Sequence, residues 1–135
     1  MSFRTGTVDV MAARLRTILV GYDDSEAARR ALDRAADLAG YGSHLTVVSV
    51  ERDEGPMLGA VLDHARMRLI ERQVPATYLQ PGGEPADAIV AAAEEIAADL
   101  VVVGRRSHGP LRRSELGSVS AAVARRAPCE VLVVP

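Results

Sequence analysis

The sequence predicts an α/β protein: one domain, with a parallel sheet held between layers of helices. Three observations predict it. Short apolar runs alternate with longer segments in which Ala and Leu recur at helical spacing. Apolar residues make up 48% of the chain but aromatic residues only 3%, with no Trp. The core must therefore be Val, Leu, Ile and Ala, which suits parallel strands covered by alanine-rich helices. The length, 135 residues, is that of a single domain able to bury its own core.

The first strand is the run Thr17-Ile18-Leu19-Val20-Gly21. Asp23, Asp24 and Ser25 follow and are suited to capping a helix, with Glu26 at its positive end. Ala28, Ala31, Leu32, Ala35 and Ala39 mark one helical face, and Gly40 is the expected stop. Residues 45–50 read as the second strand and 51–55 as a charged loop. Leu58, Val61, Leu62, Ala65 and Leu69 predict a second helix to about Arg72. Ala76–Leu79 is a short third strand. Pro85 opens a third helix, whose buried stripe is Ala86, Ile89, Val90, Ala93 and Ala97. Residues 100–103 are apolar at every position, as in a strand buried on both faces. Ser118–Arg126 forms the last helix and Glu130–Val134 the last strand.

Several function classes are set aside. Net charge is −2 and the pI near 5.9, without the basic excess of a general nucleic-acid binder. All 16 basic residues are Arg. Base bias in a genome explains that blandly, although guanidinium groups also suit phosphate oxygens. One cysteine, Cys129, permits neither an internal disulfide nor a cysteine-rich zinc site, and reads as a buried inert thiol. His44 and His64 read as surface histidines on a loop and a helix, not metal ligands. No apolar run is long enough for a membrane span, and residues 1–15 lack a signal-peptide core. They read as a flexible arm on a cytoplasmic protein, with the domain over 16–135.

In an open parallel sheet, ligands bind beyond the carboxyl ends of the strands. Asp23 stands there after the first strand, as an acceptor for a ribose hydroxyl or simply as a helix cap. Val50 ends the second strand, to pack on a flat base or merely as core. The stretch after the fourth strand carries Arg105, Arg106, Arg112 and Arg113, one histidine, and Gly104, Gly109 and Gly117. It runs into a helix start at Gly117-Ser118. Such a start offers unpaired N–H groups and a positive dipole end to an anion. Each arginine alone is best explained as a solvated loop residue; the loop as a unit reads as an anion site.

That loop resembles the nucleotide loop of the universal stress proteins, written G-x-x-G, nine residues, G-[ST]. Here Gly104-Arg105-Arg106-Ser107, then residues 108–116, then Gly117-Ser118 match at all but one place. ILVGYDDSEAARRAL, GEPADAIVAAAEEIAADLVVVG and GSVSAAVARRAPCEVLVV are also similar to the family, so the resemblance spans 17–135. It implies an open Rossmann-like three-layer α/β/α sandwich with a five-stranded parallel sheet in the order 3-2-1-4-5. It implies ATP or a related adenine nucleotide, possible Mg²⁺ included, with cyclic AMP as the alternative ligand. Asp23 then matches an acidic residue near the adenosine and Val50 an apolar residue at the adenine. Gly104, Ser107, Gly117, Ser118 and Val119 match the phosphate and ribose loop, flanked by Val103, Arg106 and Gly109. The departure is Ser107, where the family usually has Gly. Its N–H is retained, and Gly109 two residues on supplies backbone freedom.

The resemblance also implies a homodimer through Glu130–Val134, and an apolar edge strand does invite pairing. The motif x-S-x-G around Ser107-His108 lacks the first glycine of a hydrolase nucleophile elbow, and no histidine follows His108. No catalytic residue is therefore assigned, and slow ATP hydrolysis is the most expected. Two functions follow: a stress-response switch that binds an adenine nucleotide, or a ligand-free dimerisation and protein-interaction module.

Overall fold

The computed structural model describes residues 15–40, 42–50, 59–105 and 117–135. Residues 1–14, the charged loop at 51–55 and the candidate site residues Arg106, Ser107 and Gly109 lie outside the described residues. The elements alternate as β1 (Thr17–Gly21), α1 (Glu26–Ala39), β2 (His44–Val48), α2 (Ala60–Glu71), β3 (Ala76–Leu79), α3 (Pro85–Glu95), β4 (Leu100–Gly104), α4 (Ser118–Arg126) and β5 (Glu130–Val134). The five strands form one sheet in the order β3-β2-β1-β4-β5, and every pairing is parallel. The α/β class and the strand order expected from the sequence are both found.

β1 is central because its side chains have no solvent-tolerant face: Ile18, Leu19 and Val20 are each fully buried. The period of two along a strand separates two cores. Ile18, Val20, Leu45, Val47, Leu100 and Val102 pack with α1 and α2 on one face. Leu19, Val48, Val101 and Val103 pack with α3 and α4 on the other. α1 lies close to the sheet because its buried face is mostly alanine: Ala27, Ala28, Ala31, Ala35 and Ala36, with Leu32. That closeness constrains β4. A Cβ at Gly104 would lie 2.7–2.8 Å from the backbone and Cβ of Ala27 and the nitrogen of Ala28.

Three expectations need correction. β2 ends at Val48 rather than residue 50, because its partner β1 ends opposite at Gly21. The N–H of Ser49 still reaches the Leu79 carbonyl, and the chain then leaves the sheet with Val50 beyond the strand. His44 opens β2 instead of lying on a loop, and its Nε2 meets the Thr77 hydroxyl at 2.8 Å. Ala97 is not part of the stripe of α3, which ends at Glu95. It stands at φ 52°, where its N–H bonds the Glu94 carbonyl while that of Ala98 bonds Ala93. That is a Schellman cap built without glycine. Gly40 does follow α1, but in the right-handed region at φ −59°.

Among the described residues, no helix is long and apolar enough to cross a membrane. Cys129 is half-buried, and burial pushes its thiol up from the ordinary cysteine range.

Candidate functional site

The carboxyl ends of β1, β2 and β4 open onto one cleft, where β1 has its two neighbours on opposite sides and the connections diverge. The cleft is lined from β1 and its turn by Gly21, Tyr22, Asp23 and Ser25. Val48 and Val50 line it after β2, Val103 and Gly104 at the end of β4, and Gly117, Val119 and Ser120 at the start of α4. Ala28 of α1 and Ile89 of α3 complete the wall.

The β1 turn is built by short polar side chains. The Ser25 hydroxyl accepts from the Ala28 N–H at 3.1 Å and is the N-cap of α1. The Asp23 carboxylate accepts from the Ser25 N–H at 3.0 Å, so it shapes the turn while lining the cleft. Tyr22 is buried, and its hydroxyl donates to Asp24 at 2.7 Å. Burial, then the Asp24 carboxylate, raise its pKa well above the usual tyrosine value. The hydroxyl therefore stays protonated and acts as a donor.

The opposite side is a helix start. Gly117 is the N-cap of α4 and has an extended backbone, φ −64° and ψ 157°, without a side-chain capping bond. Glycine is thus not needed there for its dihedrals; what it provides is the absence of a side chain at the cleft wall. Its N–H donates to the Arg105 carbonyl at 2.8 Å. The Ser120 hydroxyl donates to that carbonyl at 2.7 Å and lies 3.1 Å from the Gly117 carbonyl. Arg105 in turn donates its N–H to the Val134 carbonyl at 2.6 Å. These bonds tie Gly117 and Ser120 to Arg105, and Arg105 to β5. The first N–H groups of α4 have no carbonyl one turn earlier in the helix, so they and the dipole favour a negative group.

The floor is apolar. A Cβ on Gly21 would lie 2.8 Å from Cδ1 of Ile89 and 3.4 Å from Cγ1 of Val103. Val48, Ile89 and Val103 belong to the α3/α4 core, and Val119 packs on it. One side of the cleft is therefore hydrocarbon and the other is polar, a division suited to a ligand with a flat apolar part and an anionic part.

Of the residues picked from sequence, Asp23, Val50, Val103, Gly104, Gly117 and Val119 line this cleft together. Ser118 is the first residue of α4, exposed, and not among the lining residues. Gly21, Tyr22, Ser25, Ala28, Val48, Ile89 and Ser120 were not picked. Ser25 carried a signal, since serine is a favoured N-cap ahead of an alanine-rich helical face. Ile89 carried only the signal of a core residue. Among the described residues, no group of three or more His, Cys, Asp or Glu is placed to hold a metal ion.

The comparisons agree with this architecture. The model of the universal stress protein family matches residues 14–135. The chain is 38% identical to a universal stress protein of Thermus aquaticus, over 88% of this chain and 98% of that one. It is 33% identical to one from Mycobacterium tuberculosis, over 88% and 95%. A universal stress protein solved in complex with cAMP superposes with a TM-score of 0.75 at 34% identity, over 89% of this chain and 96% of that one. By sequence and by fold, this chain belongs to the universal stress protein family.

Proposed function

We propose that this chain is a cytoplasmic stress-response regulator that binds ATP or a related adenine nucleotide in this cleft and acts as a ligand-dependent homodimeric switch. The observation that carries the reading is the juxtaposition of Asp23, Val50 and Val103 with Gly117 and Val119 at the uncapped start of α4. Base, ribose and phosphate each find a matching surface: the hydrocarbon floor, the Asp23 carboxylate, and the helix start. The relative described in complex with cAMP supports an adenine ligand and keeps cyclic AMP as a variant. The cleft formed by the described residues has a volume of about 60 Å³, room for a few waters. A nucleotide would therefore lie across the strand ends, with much of its surface beyond them. Phosphates brought to the site would carry Mg²⁺ as their own counter-ion. β5 is an edge strand with half-buried residues, and pairing with a second copy would cover it.

One observation favours a second reading, a ligand-free interaction module. Gly104 is explained by the approach of α1 alone, since any Cβ there meets Ala27 and Ala28. A glycine of the loop pattern is thus required whether or not a nucleotide binds.

Equilibrium titration of nucleotide-stripped protein with ATP, cyclic AMP and GTP separates the two. Micromolar binding of an adenine nucleotide, lost in Gly117→Asp, is the expected result. No heat from any of the three overturns the nucleotide reading and leaves the interaction module.

A further inference from the structure

The turn between β1 and α1 is held from outside the cleft as well as inside it. Asp24 stands at φ 68°, in the left-handed region where a non-glycine residue is strained. Three contacts keep it there. Its Oδ1 accepts from the Tyr22 hydroxyl at 2.7 Å. Its carbonyl accepts from the Arg29 guanidinium at 2.9 Å. Its Oδ2 meets Nδ1 of His64 at 2.5 Å. His64 belongs to α2, and its ring is 56% exposed, whereas Tyr22 is 5% exposed and lines the cleft. One carboxylate therefore joins a surface imidazole to the cleft wall.

We propose that His64 is a pH-sensitive positioning residue for the cleft, acting through Asp24 on the turn 22–25. Histidine is the side chain that ordinarily changes charge near neutral pH. With a neutral ring the contact to Asp24 is an ordinary hydrogen bond; with an imidazolium it is charge-assisted and stronger. The strained turn is then gripped more firmly by its carboxylate, and Tyr22 and Asp23, the two residues before Asp24, are fixed with it. Among the described residues, the neighbouring groups are Asp24 and the Tyr22 hydroxyl from the turn, Arg29 from α1, and Asp63 and Arg68 on α2 itself. Arg29 and Arg68 oppose a further positive charge, but Arg68 is engaged with Asp33 by two hydrogen bonds and Arg29 with the Asp24 carbonyl. Asp24 is the group in direct contact, so protonation of the ring tightens the grip. The histidine at the amino end of β2, His44, is bonded to Thr77 and cannot act on this turn.

The positioning is a property of the ligand-free protein; only its effect on affinity rests on the nucleotide reading. The test is a backbone amide NMR titration of the full ligand-free chain from pH 5.5 to 8. The reporters are Ser25, which donates to Asp23, and Ala28, which donates to Ser25. Both are expected to shift with a single inflection in this range, and His64→Gln to abolish it. Asp24→Asn should leave the His64 ring signals titrating while the Ser25 and Ala28 amides go flat. ATP affinity measured at pH 6 and pH 8 should show a ratio roughly two- to fivefold larger in the parent chain than in His64→Gln, the size expected of one exposed ion pair. Taking that ratio against His64→Gln cancels the titration of the ATP phosphates. Amides that stay flat, or that titrate unchanged in His64→Gln, overturn the proposal whatever the nucleotide result. Titrating amides in a protein that binds no nucleotide sustain it and overturn the functional reading alone.

Discussion

Two helices start at the cleft, and they start in opposite ways. α1 is closed by its own sequence: Ser25 caps Ala28, Asp23 holds Ser25, and Glu26 lies in the first turn at the positive end. α4 begins at Gly117 with no side-chain cap and no acidic residue in its first turn. Among the described residues, the same backbone chemistry is met by a side-chain cap at one helix start and by none at the other. A glycine at the N-cap gives up only a few tenths of a kcal/mol relative to a serine or aspartate there. The difference teaches that the polar half of the cleft is not symmetrical. The β1 side presents a carboxylate and hydroxyls, while the α4 side presents the positive end of a helix dipole.

The comparison breaks most severely at Gly104, where β4 meets the start of α1. Gly104→Val should destabilise the fold by about 1–3 kcal/mol, because the obstructing atoms are backbone and the Ala27 methyl rather than the end of a flexible chain. Denaturant melts would read this as a lower midpoint. An unchanged midpoint would mean that α1 can move away, and that Gly104 is required only by a ligand. Next in size is Ser25→Ala, which removes the cap of α1 and should cost about 1 kcal/mol. Ser118→Ala is exposed and caps nothing, so its effect should stay within about 0.5 kcal/mol. Equal losses in the two variants would abolish the asymmetry. Smaller still is Gly117→Asp. An aspartate suits an extended N-cap, so its stability should lie within a few tenths of a kcal/mol of the parent, measured by the same melts. That near-neutrality makes the variant a clean test of ligand binding, since lost affinity then cannot be ascribed to unfolding.

The sheet was legible in the sequence because its information is local. Each strand is an apolar run, each helix shows its stripe, and alternation of the two leaves a parallel sheet as the economical solution. The site was legible only in part. Asp23, Val50 and the Gly104 and Gly117 pair lie at strand ends and helix starts, which a linear reading can locate. Ile89 could not be found that way. It reads as one residue in the buried face of a helix, and becomes cleft floor only because Gly21 leaves room above it. The His64–Asp24 contact joins residues 40 positions apart, and nothing in either local sequence marks it. Ala97 escaped for a different reason: its spacing fits the helical face, but its left-handed backbone is set by the cap bonds to Ala93 and Glu94. Gly104 was legible as a glycine that matters, but packing against α1 supplies the reason, and a sequence does not reveal how closely a helix approaches.

The bodies of the two helices differ as their starts do, and pH reads that difference. α1 is tied to α2 by a cluster in which Asp33 receives two hydrogen bonds from Arg68, at 2.7 and 2.8 Å, with Arg72 also paired to Asp33 and Asp37. α4 is tied to α3 by the exposed Arg126–Asp87 pair at 2.6 Å. Hydrogen bonding from Arg68 holds the Asp33 carboxyl below the usual aspartate range, although burial pulls the other way. A carboxyl with a depressed folded-state pKa binds protons less readily when folded than when unfolded. Its contribution is therefore fully present above the ordinary aspartate value, about 3.9, and is lost as pH falls through the lower folded value. The side chain is about one-third exposed, so screening keeps the effect to a few tenths of a kcal/mol. Asp33→Asn should thus lower the urea midpoint slightly at pH 7 and pH 5, and the gap from the parent should close only once pH has fallen through the lowered folded-state value, where both states bind the proton. Asp87→Asn should show a smaller gap at pH 7, because its contact with Arg126 is a single exposed pair rather than a bidentate one. If the Asp33 gap persisted undiminished into acid, the α1–α2 contact would be held by shape and not by charge. The contrast between the two helix pairs would then reduce to how each one packs.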